Sequence, residues 1–197
     1  MVEAASDKPV RRTPSRAVAA IAVTAVSLAI FGTGLAFAQS GGVGAPGGTP
    51  APPPATTPAP AGSMVFPVAG PHSIGQGFGA ARSGHSHQGQ DIFAACGTPL
   101  VAVSRAKVKW VSYQGSAGNY VVIRNKKLHQ DYMYAHLATR ASVSKGQVVM
   151  PGQQVGIVGQ TGNARGCHLH FELWKGKWYR GGHPVNPLSF LQTLPGY

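Results

Sequence analysis

An all-β fold, a compact antiparallel β-sandwich or partly open barrel, is what this 197-residue sequence predicts. Three observations lead there. Between Val101 and Val111 apolar and polar residues alternate, with Ala106, Val108 and Trp110 on one face and Arg105, Lys107 and Lys109 on the other. That is the period-two signature of a half-buried strand. His168-Leu169-His170-Phe171-Glu172-Leu173 alternates in the same way. Short runs of this kind recur between glycine-containing turns, and no segment sustains a helical period.

The N-terminal third is of another kind. Residues 1–16 carry Lys8, Arg11, Arg12 and Arg16, and an uncharged apolar run follows from Ala17 to Ala38, closing on Ala36-Phe37-Ala38. A basic start, an apolar stretch and an A-x-A site form the pattern of a secretory signal peptide, expected over 1–38. The run is also long enough to cross a bilayer, so an uncleaved membrane anchor is the alternative. Either way the rest of the chain is expected outside the cytoplasm, secreted or in the cell wall. Residues 39–63 are mostly Gly, Ala, Pro and Thr. The segment Ala51 to Pro60 favours extended, polyproline-like conformations and reads as a semi-rigid linker. Residues 64–197 are one domain's worth of chain, with no internal repeat, and a monomer is expected.

From Met64 onward the sequence has 13 lysines and arginines against three acids. An exported basic domain is expected to adhere to anionic cell-wall polymers, with an affinity that falls as salt rises. A nucleic-acid partner is not expected, because the cations are spread along the chain without a recognised binding motif.

Chemistry concentrates in a few residues. His168 and His170 lie two apart on a strand and so share a face, while Leu169, Phe171 and Leu173 fall on the other, suited to packing. Taken alone, the pair reads equally well as two polar-face histidines. Elsewhere stand His87 and Asp91, four apart, and His136 within the strand-like run from Asp131 to Leu137. Catalytic zinc sites use three nitrogen or carboxylate ligands and keep a fourth position open. Two histidines and an aspartate would meet that count and leave two histidines for proton transfer, provided tertiary folding brings them together. His72, His85, His129 and His183 sit in loop-like or proline-flanked surroundings and are expected to be non-ligands. Glu172 falls on the histidine face, as a hydrogen-bond partner or an exposed group.

His87-x-x-x-Asp91, then Tyr134-Ala135-His136-Leu137, then His168-Leu169-His170-Phe171-Glu172-Leu173, resembles the lysostaphin/LytM-type zinc endopeptidases, which cleave peptide cross-links in bacterial cell walls. Gly77-Phe78-Gly79 resembles that family's entry segment, Gly118 to Ile123 its central strand, Lys145 to Gly162 its glycine-rich hairpin and Pro184 to Leu188 its closing segment. The resemblance covers about Phe66 to Leu191. It implies one zinc ion held by His87, Asp91 and His170, with His136 and His168 as the catalytic pair and the peptide stems of peptidoglycan as substrate. It also implies an alternative, because some members keep the fold without the chemistry and act as wall-binding or amidase-activating modules. Such members lack one or more of the five positions, and all five are present here.

Two cysteines, Cys96 and Cys167, complete the picture. An even count in an exported chain suggests a disulfide, and both stand near site residues, so assembly of the site would bring them together. The competing reading makes one of them a zinc ligand. Bond preference is not readable from any motif. The family includes cleavers of glycine bridges and of direct D-alanine–diamino acid cross-links. The Ala/Pro-rich leader and the lack of an appended wall-targeting domain favour the direct cross-link.

Overall fold

The computed structural model describes residues 57–197. The signal-peptide or anchor reading of 1–38 and the linker reading of 39–56 lie outside the described residues. In order come β1 (His72–Ile74), β2 (Ala81–Arg82), β3 (His85–Ser86), β4 (Gln90–Ala94), β5 (Pro99–Val101), β6 (Ala106–Gln114) and β7 (Gly118–Asn125). Then follow β8 (Gln130–Leu137), β9 (Val148–Val149), β10 (Gln154–Ile157), β11 (His168–Lys175), β12 (His183–Val185) and a one-turn helix, α1 (Leu188–Gln192).

The main sheet runs β1-β4-β11-β8-β7-β6-β9, with β12 alongside the end of β11. Strands β5 and β10 form a second, two-stranded sheet, β2 and β3 a small hairpin, and the pairings between strands are antiparallel. Single-residue bridges Leu137–Val158 and Gly159–His168 hook the chain after β10 onto the ends of β8 and β11. The antiparallel β class expected from the sequence is therefore what the chain adopts. Residues ahead of Met64 also touch this body: Ala59 N–H donates to Pro151 O at 2.7 Å.

Alternation decides which face each side chain takes. Leu169 and Phe171 of β11 join Ile92, Leu100, Ile123 and Tyr134 in the core, all with no solvent exposure. A smaller cluster covers the other face of the main sheet, with Tyr120, Val122, Met133 and Ala135 packed against Trp110 and Trp178.

Two bulges break the alternation, and both serve the second face. In β6 the register slips between Val108, opposite Ile123, and Trp110, opposite Val122. Lys109 is thus the extra residue, and Trp110 turns away from Val108 and joins the second cluster. The face assignment read from strict alternation is corrected at that position. The alternating run also begins later than expected, since β5 ends at Val101 and residues 102–104 are buried in succession, with Val103 N–H donating to the Tyr134 hydroxyl at 3.0 Å. In β8, Tyr134 pairs with Val121 and Leu137 with Asn119, so three steps of β8 match two of β7. The irregularity falls at His136, whose φ is +62°. Both Tyr134 and Leu137 remain in the core, and His136 leaves it. Helix α1 has no counterpart in the sequence reading. Its Leu191 is fully buried, and Phe190 stacks on Tyr132 at 5.8 Å.

Candidate metal centre

Strands β4 and β11 carry most of the site. Their register sets His170 opposite Asp91, and β8 on the other side sets Ala135 opposite His170. His87 arrives from the turn ahead of β4, which passes under β11 at Gly89. A Cβ at Gly89 would lie 2.4 Å from Phe171 O and 2.9 Å from His170 Cε1. Only glycine permits that approach. Gly89→Ala is expected to push β4 and β11 apart, at about 1–3 kcal/mol, with weaker metal binding. Chemical denaturation and a zinc titration of the variant check this, and wild-type values in both would refute it.

His87 Nε2, Asp91 Oδ1 and His170 Nδ1 form a near-equilateral triangle, with sides of 2.9, 3.1 and 3.1 Å. Both partners on the far sides of the two rings can only accept hydrogen bonds. His87 Nδ1–H therefore donates to Gly77 O at 2.9 Å, and His170 Nε2–H to Glu172 Oε1 at 3.1 Å. With both imidazoles neutral, two nitrogen lone pairs and a carboxylate oxygen face one another, an arrangement that only a cation relieves. Ligands about 2.1 Å from a tetrahedral zinc stand about 3.4 Å apart, so this donor set and its spacing fit zinc. Among the described residues it is the one cluster of His, Cys, Asp or Glu groups able to hold a metal ion. With protons alone to bind, burial would push His170 down, but its bonds to Asp91 and Glu172 take it up to about 9. Burial would likewise raise Asp91, yet the bonds from His170 and His87 hold its carboxyl well below the usual range.

His136 and His168 stand beside the triangle, their rings 4.7 Å apart between centroids. His168 Nε2 lies 3.7 Å from Asp91 Oδ1. His136 Nδ1–H donates to Thr161 O at 2.8 Å and His168 Nδ1–H to Gly166 O at 3.0 Å. Burial takes His136 down to about 4; the bond to Thr161 opposes this, and the neighbouring His168 and His170 add to it. It is neutral near pH 7. The left-handed backbone of His136 is held in place by its own N–H, which donates to Ala117 O at 2.9 Å.

All five predicted positions thus converge, and the four other histidines do not. His85 and His129 are exposed, His183 is exposed on β12, and His72 stacks on Phe66 at 4.3 Å. Cys96 and Cys167 are joined to each other, with Cα atoms 5.3 Å apart, and so tie the residue before His168 to the turn after β4. Closing a 71-residue loop stabilises the fold by about 4 kcal/mol on the chain-entropy account.

Arg82, Trp178 and Tyr179 escaped the sequence reading, whereas Glu172 takes the first of the two roles read for it, as hydrogen-bond partner of His170. Arg82 Nη2 donates to Asp91 Oδ2 at 2.8 Å, neutralising the oxygen that faces away from the triangle. Glu172 is buried, with Oε2 accepting from Trp174 Nε1 at 2.7 Å and Trp178 Nε1 at 3.3 Å. A cleft of about 890 Å³ opens over these groups, with Arg82, Phe93, Trp178 and Tyr179 among the residues that line it. Tyr179 O–H donates to Gln88 Oε1 at 2.9 Å, and both residues line the cleft.

Residues 85–187 match peptidase family M23. The peptidoglycan DD-endopeptidase ShyC of Vibrio cholerae is 40% identical over 111 residues, 56% of this chain and 25% of that protein. The chain spans about a quarter of the length of the curated relatives it matches. Among solved structures, the catalytic domain of lysostaphin from Staphylococcus simulans aligns with a TM-score of 0.57 at 28% identity, over 62% of this chain and 93% of that one. A zinc-containing peptidase from Vibrio cholerae aligns with a TM-score of 0.54 at 32% identity, over 63% and 39%.

Proposed function

This chain belongs to peptidase family M23, and on that premise we propose that it is an exported zinc endopeptidase that hydrolyses peptide cross-links of bacterial peptidoglycan. The observation that carries the reading is the triangle of His87 Nε2, Asp91 Oδ1 and His170 Nδ1 beside a paired His136 and His168 at the floor of an open cleft. Zinc bound there would act as a Lewis acid on the scissile carbonyl and bring the pKa of a water towards neutrality.

The chain's own groups do the rest. His136 and His168 each spend Nδ1–H on a backbone carbonyl, so Nε2 of each ring is left to accept a proton. His136, neutral at working pH, takes the proton from the attacking water. The resulting imidazolium, or its partner 4.7 Å away, stabilises the oxyanion and returns a proton to the leaving amine. Arg82 holds Asp91 in its ligating rotamer.

Two features bear on the substrate. The matched relatives include proteins named as peptidoglycan DD-endopeptidases, which favours a direct D-alanine–diamino acid cross-link over a glycine bridge. The three acids from Met64 onward, Asp91, Asp131 and Glu172, are all buried, and two of them pair with Arg82 and Arg124, so the other 11 of the 13 cations in this region have no ion-pair partner among the described residues. Anionic wall polymers are the partners such a surface suits. Export rests on the N-terminal pattern of the sequence.

The test uses defined cross-linked muropeptides, one set joined directly through D-alanine and one through glycine, with new termini identified by mass spectrometry. Cleavage of the direct cross-link is expected, lost on chelation and regained with zinc. Cleavage of the glycine set alone would overturn the bond assignment, and cleavage of neither would overturn the enzyme reading.

A further inference from the structure

Three of the four site histidines use one device. His87, His136 and His168 each donate Nδ1–H to a backbone carbonyl, of Gly77, Thr161 and Gly166, so that Nε2 faces the centre. His170 is reversed. Its Nδ1 faces the triangle, and its Nε2 points back along β11 to a side chain, Glu172. Among the described residues no backbone carbonyl fixes this ring.

Glu172 is in turn fixed by two groups that can only donate, the indole N–H of Trp174 and that of Trp178, both on Oε2. Trp174 is almost fully buried, and its ring follows from β11 alternation, which puts His168, His170, Glu172 and Trp174 on one face. Trp178 is placed by its own N–H, which donates to Asp131 Oδ2 at 2.9 Å. Asp131 is itself held by Arg124 at 2.8 Å, and Arg124 also donates to Gly176 O at 3.1 Å, at the start of the same loop.

We propose that Glu172, clamped by Trp174 and Trp178, is the positioning residue that selects the metal-binding tautomer of His170. This rests on the zinc reading above and deepens it. Because the indoles occupy one carboxylate oxygen, the other is presented to His170 as an obligate acceptor, which keeps the hydrogen on Nε2 and the lone pair on Nδ1.

The clamp makes an isosteric substitution harmful in a way that bulk and packing do not predict. In Glu172→Gln the amide has one acceptor and one donor end. Two indole donors claim the acceptor, so the NH₂ turns to His170 and forces Nε2 to accept. The hydrogen then moves to Nδ1, where it points into the triangle and blocks ligation.

The experiment measures zinc affinity by competition with a chromophoric chelator, together with the thermal stability of the zinc-free protein. Glu172→Gln is expected to weaken zinc binding about 10- to 100-fold, the range for a ligand's outer hydrogen-bond partner, with zinc-free stability near wild type. Adding Trp174→Phe and Trp178→Phe to Glu172→Gln removes the donors, frees the amide to turn round and should restore most of the affinity. Zinc binding by Glu172→Gln within twofold of wild type would overturn the proposal, as would failure of the triple variant to recover. Long-range ¹H–¹⁵N spectra of zinc-loaded wild type read the ring directly, without any variant. Metal at Nδ1 with hydrogen on Nε2 supports the assignment, and the reverse sinks it. If wild type itself binds no zinc, the metal reading has failed; if wild type binds and Glu172→Gln binds equally, only the tautomer selection has.

Discussion

His170→Ala is expected to lose zinc and hydrolysis together. The substitution removes one corner of a triangle whose sides are about hydrogen-bond length and leaves His87 Nε2 and Asp91 Oδ1 as a two-point site. It also strands the buried Glu172 carboxylate without its third donor. Loss of an outer hydrogen-bond partner of a ligand costs 10- to 100-fold, so deleting the ligand itself is expected to cost more than about 100-fold in zinc affinity. Zinc per chain after dialysis should fall from one to a small fraction, and turnover of cross-linked muropeptides to background. His87→Ala should behave alike, although its ring is held by Gly77 instead. A dialysed His170→Ala protein that still carried one zinc per chain would remove His170 from the ligand set.

His136→Ala is expected to separate the two losses. The ring lies outside the triangle, 5.9 Å from His170 between centroids, so zinc should stay while turnover falls about 10²- to 10⁴-fold, the usual worth of a positioned acid–base group. The same substitution bears on acid stability. His136 titrates near 4 in the fold and near 6.5 when unfolded, so the unfolded chain binds the extra proton first. Its stabilising share is complete above pH 6.5 and drains away as pH falls towards 4. The variant lacks that share and should show a shallower loss of melting temperature across this window. Equal slopes would mean that His136 is not held neutral. Turnover close to wild type would remove His136 from the acid–base role and leave His168 as the remaining member of the pair.

The parts of this arrangement that could be read from sequence are those governed by uninterrupted alternation. In β11, His168 and His170 point one way and Leu169, Phe171 and Leu173 the other because nothing breaks the pleat between them. Where the pleat breaks, the reading fails. Trp110 belongs to the second face because Lys109 is an extra residue opposite β7, and no local pattern marks Lys109 as the one that bulges. His136 reaches the site only because its φ of +62° turns it out of the position that alternation from Tyr134 would assign. Its carbonyl partner, Thr161, lies 25 residues away. Arg82 was hidden for a related reason. It comes from a two-residue strand whose place is set by the fold around it. The short α1 carries too few residues for a helical period to show.

Strand order also gives this protein two tempos of assembly. β6, β7 and β8 are neighbours in sequence as well as in the sheet and can pair locally. β4 and β11 pair across 70-odd residues, a closure that costs about 4 kcal/mol of chain entropy before any contact repays it. Four of the five site residues ride on that late pairing. A chain emerging from synthesis can therefore pair β6, β7 and β8 but has no assembled metal centre until β11 arrives. Latency of this kind is written into the connectivity, because His168 and His170 reach Asp91 only when β11 docks on β4.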